Sequence, residues 1–85
     1  PGFSRAATDL LAGMEVASIG VDTLSLDPGN SADFAVHTSW LPGGRFGIEN
    51  LAGLDQLPAS GATILIGAPK TGGGTGGPAR VLAML

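Results

Sequence analysis

The chain has 85 residues, enough for one small domain with a modest core. Four Lys and Arg stand against seven Asp and Glu, for a net charge of −3, so the basic stripe of a nucleic-acid binder is absent. Only 13% of residues are charged while 44% are hydrophobic, against roughly 25% charged in an average soluble domain. So few charges cannot cover a small sphere, and one face is expected to be covered by more polypeptide or another subunit. No apolar run approaches the roughly 18 residues that span a bilayer, and no signal-peptide pattern opens the chain. Without cysteine there is no disulfide frame and no thiolate metal site. The expectation is a cytoplasmic protein with neither nucleic acid nor membrane as partner.

Residues 1–13 read as a helix. Ser4 is placed to cap it, Ala6, Ala7, Leu10 and Leu11 share a face, Arg5 and Asp9 can pair, and Gly13 can close it in a left-handed conformation. Residues 16–21, VASIGV, read as a buried strand. Asp22, Thr23 and Ser25 follow at the end of that strand, where α/β folds place ligands, although such residues also bond loop backbone. Residues 27–30, DPGN, are a turn. Ser31 or Asp33 is then placed to cap a short helix over residues 34–41, on which His37 and Leu41 share one face and Val36 and Trp40 another. Pro42, Gly43 and Gly44 end it.

A second strand is expected over residues 45–48. A third helix is expected over residues 51–57, capped by Asn50, with Leu51, Leu54 and Leu57 inward and Pro58 and Gly61 closing it. Residues 62–68, ATILIGA, carry no charge and read as a central strand. A glycine-rich loop at 70–77 leads to a last strand at 80–85. The order is α-β-α-β-α-β-β, an α/β fold with a mixed sheet and flanking helices.

The chemistry-bearing residues gather in the stretch 33–51, DFAVHTSWLPGGRFGIENL, which holds the one histidine, His37, the one tryptophan, Trp40, and Glu49. Glu49 sits among Phe46, Ile48 and Leu51, and a carboxylate in an apolar setting needs a cation, an arginine or a metal beside it. Imidazole and carboxylate together suit zinc, manganese or iron, although two ligands alone do not complete a site, and a lone histidine also serves as a satisfied, half-buried core residue. The glycine loop does not fit a Walker A pattern, because Pro69 precedes Lys70 and the glycines follow the lysine. It suits close approach of backbone to a substrate or a neighbouring strand instead. Ser, His and Asp all occur, but no G-x-S-x-G elbow does.

Several segments, taken together, resemble the carboxyl-terminal part of the cyclase family of metal-dependent amide hydrolases, which includes bacterial kynurenine formamidase. They are PGFS, IGVDTLSLDPG, DFAVH, GIENLAGLDQLP, GATILIGAPK and GGPARVLAM, in that order. The resemblance implies that His37 and Glu49, twelve residues apart, are metal ligands for zinc or manganese, with the glutamate able to bridge two ions. It implies a swivelling β/β/α fold completed by an amino-terminal half or a companion chain. That half carries the signature H-x-G-T-H-x-D-x-P and the acid/base histidine, neither of which occurs in these residues. It also implies a homo-oligomer and a small-molecule amide substrate, either an N-formyl aromatic amine or a cyclic amide or imide. Trp40 and Phe46 are candidates for an aromatic pocket, with core burial the stronger alternative. The competing expectation is a non-catalytic, truncated paralogue that acts as a structural or binding subunit.

Overall fold

The structure, a computed structural model, describes residues 2–69, 72–74 and 76–85. The chain divides into two compact units, residues 1–52 and 53–85.

In the first unit, helix α1 (Arg5–Gly13) starts as expected, the Ser4 hydroxyl accepting from the Ala7 N–H at 3.2 Å. Its inward face differs from the expected one. Thr8 is fully buried, with Leu11 and Ala12 half-buried beside it, whereas Leu10 is 67% exposed. Thr8 tolerates burial because its hydroxyl donates to the Arg5 carbonyl at 3.0 Å, leaving no orphaned polar group. The chain leaves the helix through Met14, and the left-handed residue is Glu15 (φ 62°) rather than Gly13.

Strand β1 (Ser18–Gly20) pairs in parallel with β2 (Phe46–Ile48), Ile19 opposite Gly47. Parallel partners need a crossover, and here it contains helix α2 (Ala35–Trp40) and a 3-10 turn (Leu41–Gly43). Beyond the strands the two segments stay tied. Val21 N–H donates to the Ile48 carbonyl, Leu51 N–H to the Val21 carbonyl and Asn50 N–H to the Thr23 carbonyl, each at 2.9 Å. The core is Ile19, Leu26, Val36 and Trp40, with Phe3, Leu11, Ala12, Val16 and Val21 packed on it. Helix α1 lies against α2, and Leu26 lies over β2 where Gly47 leaves room for it. A Cβ on Gly47 would stand 2.5 Å from a Leu26 methyl.

The second unit holds an antiparallel pair, β3 (Thr63–Gly67) with β4 (Arg80–Met84), Leu65 opposite Leu82. Residues 51–57 do not form the expected helix. A single 3-10 turn (Leu54–Gln56) forms there, with Gly53 left-handed at φ 75° before it and Leu57 extended after it. Asn50 caps nothing and is itself left-handed at φ 58°. The glycine-rich loop expected at 70–77 lies partly outside the described residues, which omit Lys70, Thr71 and Thr75. Helices and strands are therefore mixed as an α/β reading requires, but the strands form two separate two-stranded sheets. Strand β3, expected to be central in a sheet, is paired on one side by β4 and exposed along its whole length.

Candidate functional site

The site is built from the dipeptide Leu26–Asp27, where the loop after β1 turns towards α2. Local bonds shape that loop: the Thr23 hydroxyl donates to the Ser25 carbonyl at 2.9 Å, and the Ser25 hydroxyl accepts from Asp27 N–H at 3.2 Å. Ser25 thus bonds loop backbone, the plainer of the two expectations for it and Asp22, and Thr23 does the same, while Asp22 is exposed. The Leu26 side chain is buried in the core, and its carbonyl accepts from Phe3 N–H at 2.9 Å. Its own N–H points the other way and donates to Glu49 Oε2 at 3.0 Å.

Asp27 is 1% exposed. Burying an unpaired carboxylate costs several kcal/mol, and three donors offset that cost. Oδ1 accepts from Val36 N–H at 2.7 Å, and Oδ2 accepts from His37 N–H at 3.0 Å and meets His37 Nδ1 at 2.5 Å. Asp27 therefore caps α2 from nine residues upstream. Neither expected cap does so: the Ser31 hydroxyl accepts from Phe34 N–H and donates to Asp33, and neither reaches the first turn of the helix. Burial by itself pushes the Asp27 carboxyl up. The hydrogen bond from the His37 ring, those from the Val36 and His37 N–H groups and the histidine's charge together outweigh it and hold the carboxyl below the usual aspartate range.

Two acceptors do not approach to 2.5 Å, so a proton lies between His37 Nδ1 and Asp27. The singly protonated ring then carries its lone pair on Nε2, and Nε2 stands 3.3 Å from Glu49 Oε2. The His37 and Glu49 side chains are 29% and 34% exposed, so both are partly accessible to solvent. Two adjacent residues thus orient two candidate ligands: Leu26 holds the glutamate and Asp27 holds the histidine.

This arrangement fits a divalent metal. Metal-bound histidines usually give their second ring N–H to a carboxylate, as His37 does. Nitrogen and oxygen ligands at bond lengths of about 2.0–2.2 Å on a tetrahedral ion stand about 3.3–3.5 Å apart, which brackets the observed separation. Among the described residues no group of three or more His, Cys, Asp and Glu is disposed to hold an ion.

The other sequence candidates are not part of this cluster. Trp40 is core, 1% exposed, its indole N–H donating to the Phe46 carbonyl at 2.9 Å and the Arg45 guanidinium lying 5.2 Å from its ring centre. Phe46 is 46% exposed. No serine hydroxyl bonds His37 among the described residues, so the serine triad finds no support in the geometry. Asp27 is the site residue that sequence reasoning missed. Its position within a D-P-G-N turn gave it a sufficient role, and the only other signal was its place at the end of the VDTLSLD segment.

No protein-family model matches the chain. The isatin hydrolase of Roseibium aggregatum is similar to it, 37% identical over 90 aligned residues that take in all of this chain. The chain is related to a hydrolase. It covers 34% of that protein, so it spans about a third of the length of the curated relative it matches. Among the described residues no helix is long and apolar enough to cross a membrane.

Proposed function

We propose that this chain supplies two metal ligands, His37 Nε2 and Glu49 Oε2, to a metal-dependent hydrolase of the cyclase family acting on a non-peptide amide. The observation that carries the reading is the Asp27–His37–Glu49 line, which leaves an imidazole lone pair and a carboxylate oxygen side by side on two half-buried side chains. The likeness to an isatin hydrolase supports hydrolysis, with an aryl formamide or a cyclic amide or imide as substrate class. Zinc or manganese suits this donor set, and the chemistry such an ion supplies is activation of water at neutral pH and polarisation of a carbonyl. In this reading Asp27 fixes the ring proton on Nδ1, and Leu26 N–H fixes the carboxylate rotamer. Both donors are then preorganised before any ligand arrives.

The remaining ligands and the proton-transfer histidine come from an amino-terminal half of the same protein or a companion chain, within a cytoplasmic homo-oligomer. The apolar, exposed β3–β4 pair supports this dependence on further polypeptide. Titration of the 85-residue chain with Mn²⁺, followed by paramagnetic line broadening in ¹H–¹⁵N spectra, tests the ligand assignment directly. Broadening centred on His37 and Glu49, and absent from Glu49→Ala, is expected. Broadening centred on other carboxylates, or none at all, contradicts it. A second reading, a non-catalytic subunit acting by association, is favoured by the same exposed hairpin. Under that reading the chain binds its partner equally well after both ligands are replaced by alanine, and the complex holds no metal.

A further inference from the structure

Phe34 is the N-cap residue of α2, without a side-chain cap hydrogen bond and outside the core cluster. It has a left-handed backbone, φ 50° and ψ 48°, which L-residues with bulky side chains rarely adopt. That conformation is held from both sides. Its N–H donates to the Ser31 hydroxyl at 3.2 Å, and its carbonyl accepts from Thr38 N–H and the Thr38 hydroxyl, each at 3.0 Å. Glycine would meet the backbone requirement without strain, so the left-handed conformation is a cost that the bulky Phe34 side chain carries. It is not a member of the buried core cluster and is 52% exposed. Its one aromatic neighbour is His37, ring centres 5.7 Å apart and planes at 88°.

We infer that Phe34 is a specificity-determining residue, the aromatic wall on which the flat ring system of an aryl amide stacks while its carbonyl faces His37 and Glu49. This rests on the proposed function for the location of the reacting carbonyl, and it goes further by assigning ring recognition to one side chain. An exposed aromatic held rigidly beside a polar pair offers a low-entropy surface for another ring, at the centroid separations of about 4.5–7 Å that aromatic pairs prefer. The backbone strain is then the cost of aiming that surface. Removing the ring should relax the fold while weakening recognition. A ring that merely packs gives the opposite sign on stability.

The 85-residue chain, titrated by NMR with oxindole (an aromatic bicyclic lactam) and with 2-piperidone (a non-aromatic one), provides the test. In the parent chain oxindole should bind about three- to tenfold more tightly, the range that an aromatic pair adds. The preference should persist in Phe34→Tyr and fall to near parity in Phe34→Gly and Phe34→Leu, with the melting temperature of Phe34→Gly equal to or above that of the parent. A lower melting temperature for Phe34→Gly, no preference in the parent or a preference unmoved in the glycine variant overturns the inference. Mn²⁺ broadening at His37 and Glu49 should be the same in Phe34→Gly and parent. If it is absent from both while the ring preference follows Phe34, the metal reading fails and this one stands. If it is present and the preference does not follow Phe34, the reverse holds.

Discussion

The two units use apolar residues in opposite ways. Residues 1–52 bury Ile19, Leu26, Val36 and Trp40 in one cluster and satisfy an interior carboxylate within it. In residues 53–85 no described residue is buried, and Ile64, Leu65, Ile66, Leu82 and Met84 are all exposed. The hairpin's register puts Leu65, Leu82 and Met84 on one face, with Thr63 and Arg80 at its ends, and Ile64, Ile66, Val81 and Ala83 on the other, so both faces are largely aliphatic. A two-stranded pair with two apolar faces has the composition of an inner strand pair, which normally has layers on both sides. The difference teaches that an apolar sequence sets the need for a core, while the elements brought against it decide whether one forms. The first unit meets that need internally through its βαβ crossover; the hairpin does not.

The comparison breaks most visibly at Trp40. Trp40→Ala should destabilise the chain by about 3–5 kcal/mol in urea unfolding, because it empties the centre of the first unit. Leu82→Ala, in the hairpin, should cost under about 1 kcal/mol. Equal costs would mean that the hairpin is as well packed as the core.

Next comes Asp27→Asn, which leaves the His37 ring and two N–H groups without their charged acceptor, at about 3 kcal/mol. Its pH signature has a fixed sign. The folded carboxyl titrates below its unfolded value of about 3.9, so its contribution is complete above that pH and is lost as pH falls through the lower folded value. Urea midpoints should therefore drop as the pH falls below about 3.9 more steeply in the parent than in Asp27→Asn. Parallel pH curves would mean that the carboxylate contributes nothing.

Gly2→Ala sharpens the same point from the other side of the clamp. Its Cβ would stand 2.5 Å from the Asp27 carbonyl carbon, which is backbone and cannot swing away. The expected outcome is a loss of about 1–3 kcal/mol together with weaker Mn²⁺ broadening at His37. The smallest effect on folding belongs to Glu49→Gln. At 34% exposure it should change stability by under about 1 kcal/mol while removing the broadening, thereby separating binding from packing.

The sequence already contained much of the first unit. Ser4 and the spacing that follows it marked α1, the β-branched run at 16–21 marked β1, and a second short strand was expected over residues 45–48. The grouping of His37 with Glu49 came from the need of Glu49 for a partner in apolar surroundings and from the resemblance to the cyclase family. Three features were not readable, each for a physical reason. Asp27 serves as a turn former and as a remote cap with the same side chain, and its ten-residue reach to the His37 ring has no local signature. The helix expected at 51–57 has leucines at the right spacing, but Gly53 turns left-handed and only one 3-10 turn follows. The inward face of α1 was misplaced because Thr8 satisfies its hydroxyl against its own helix, so a polar residue could take the most buried position.

The most direct test of the site is the position of the ring proton on His37, read from long-range ¹H–¹⁵N correlations on the metal-free chain at alkaline pH. Asp27 as the orienting partner requires the proton on Nδ1 and a bare Nε2 facing Glu49, and Asp27→Asn should shift the ring towards the Nε2–H form. A parent chain already protonated on Nε2, or a tautomer indifferent to Asp27→Asn, would mean that His37 presents no lone pair to the shared space, and the proposed ligand pair would be wrong.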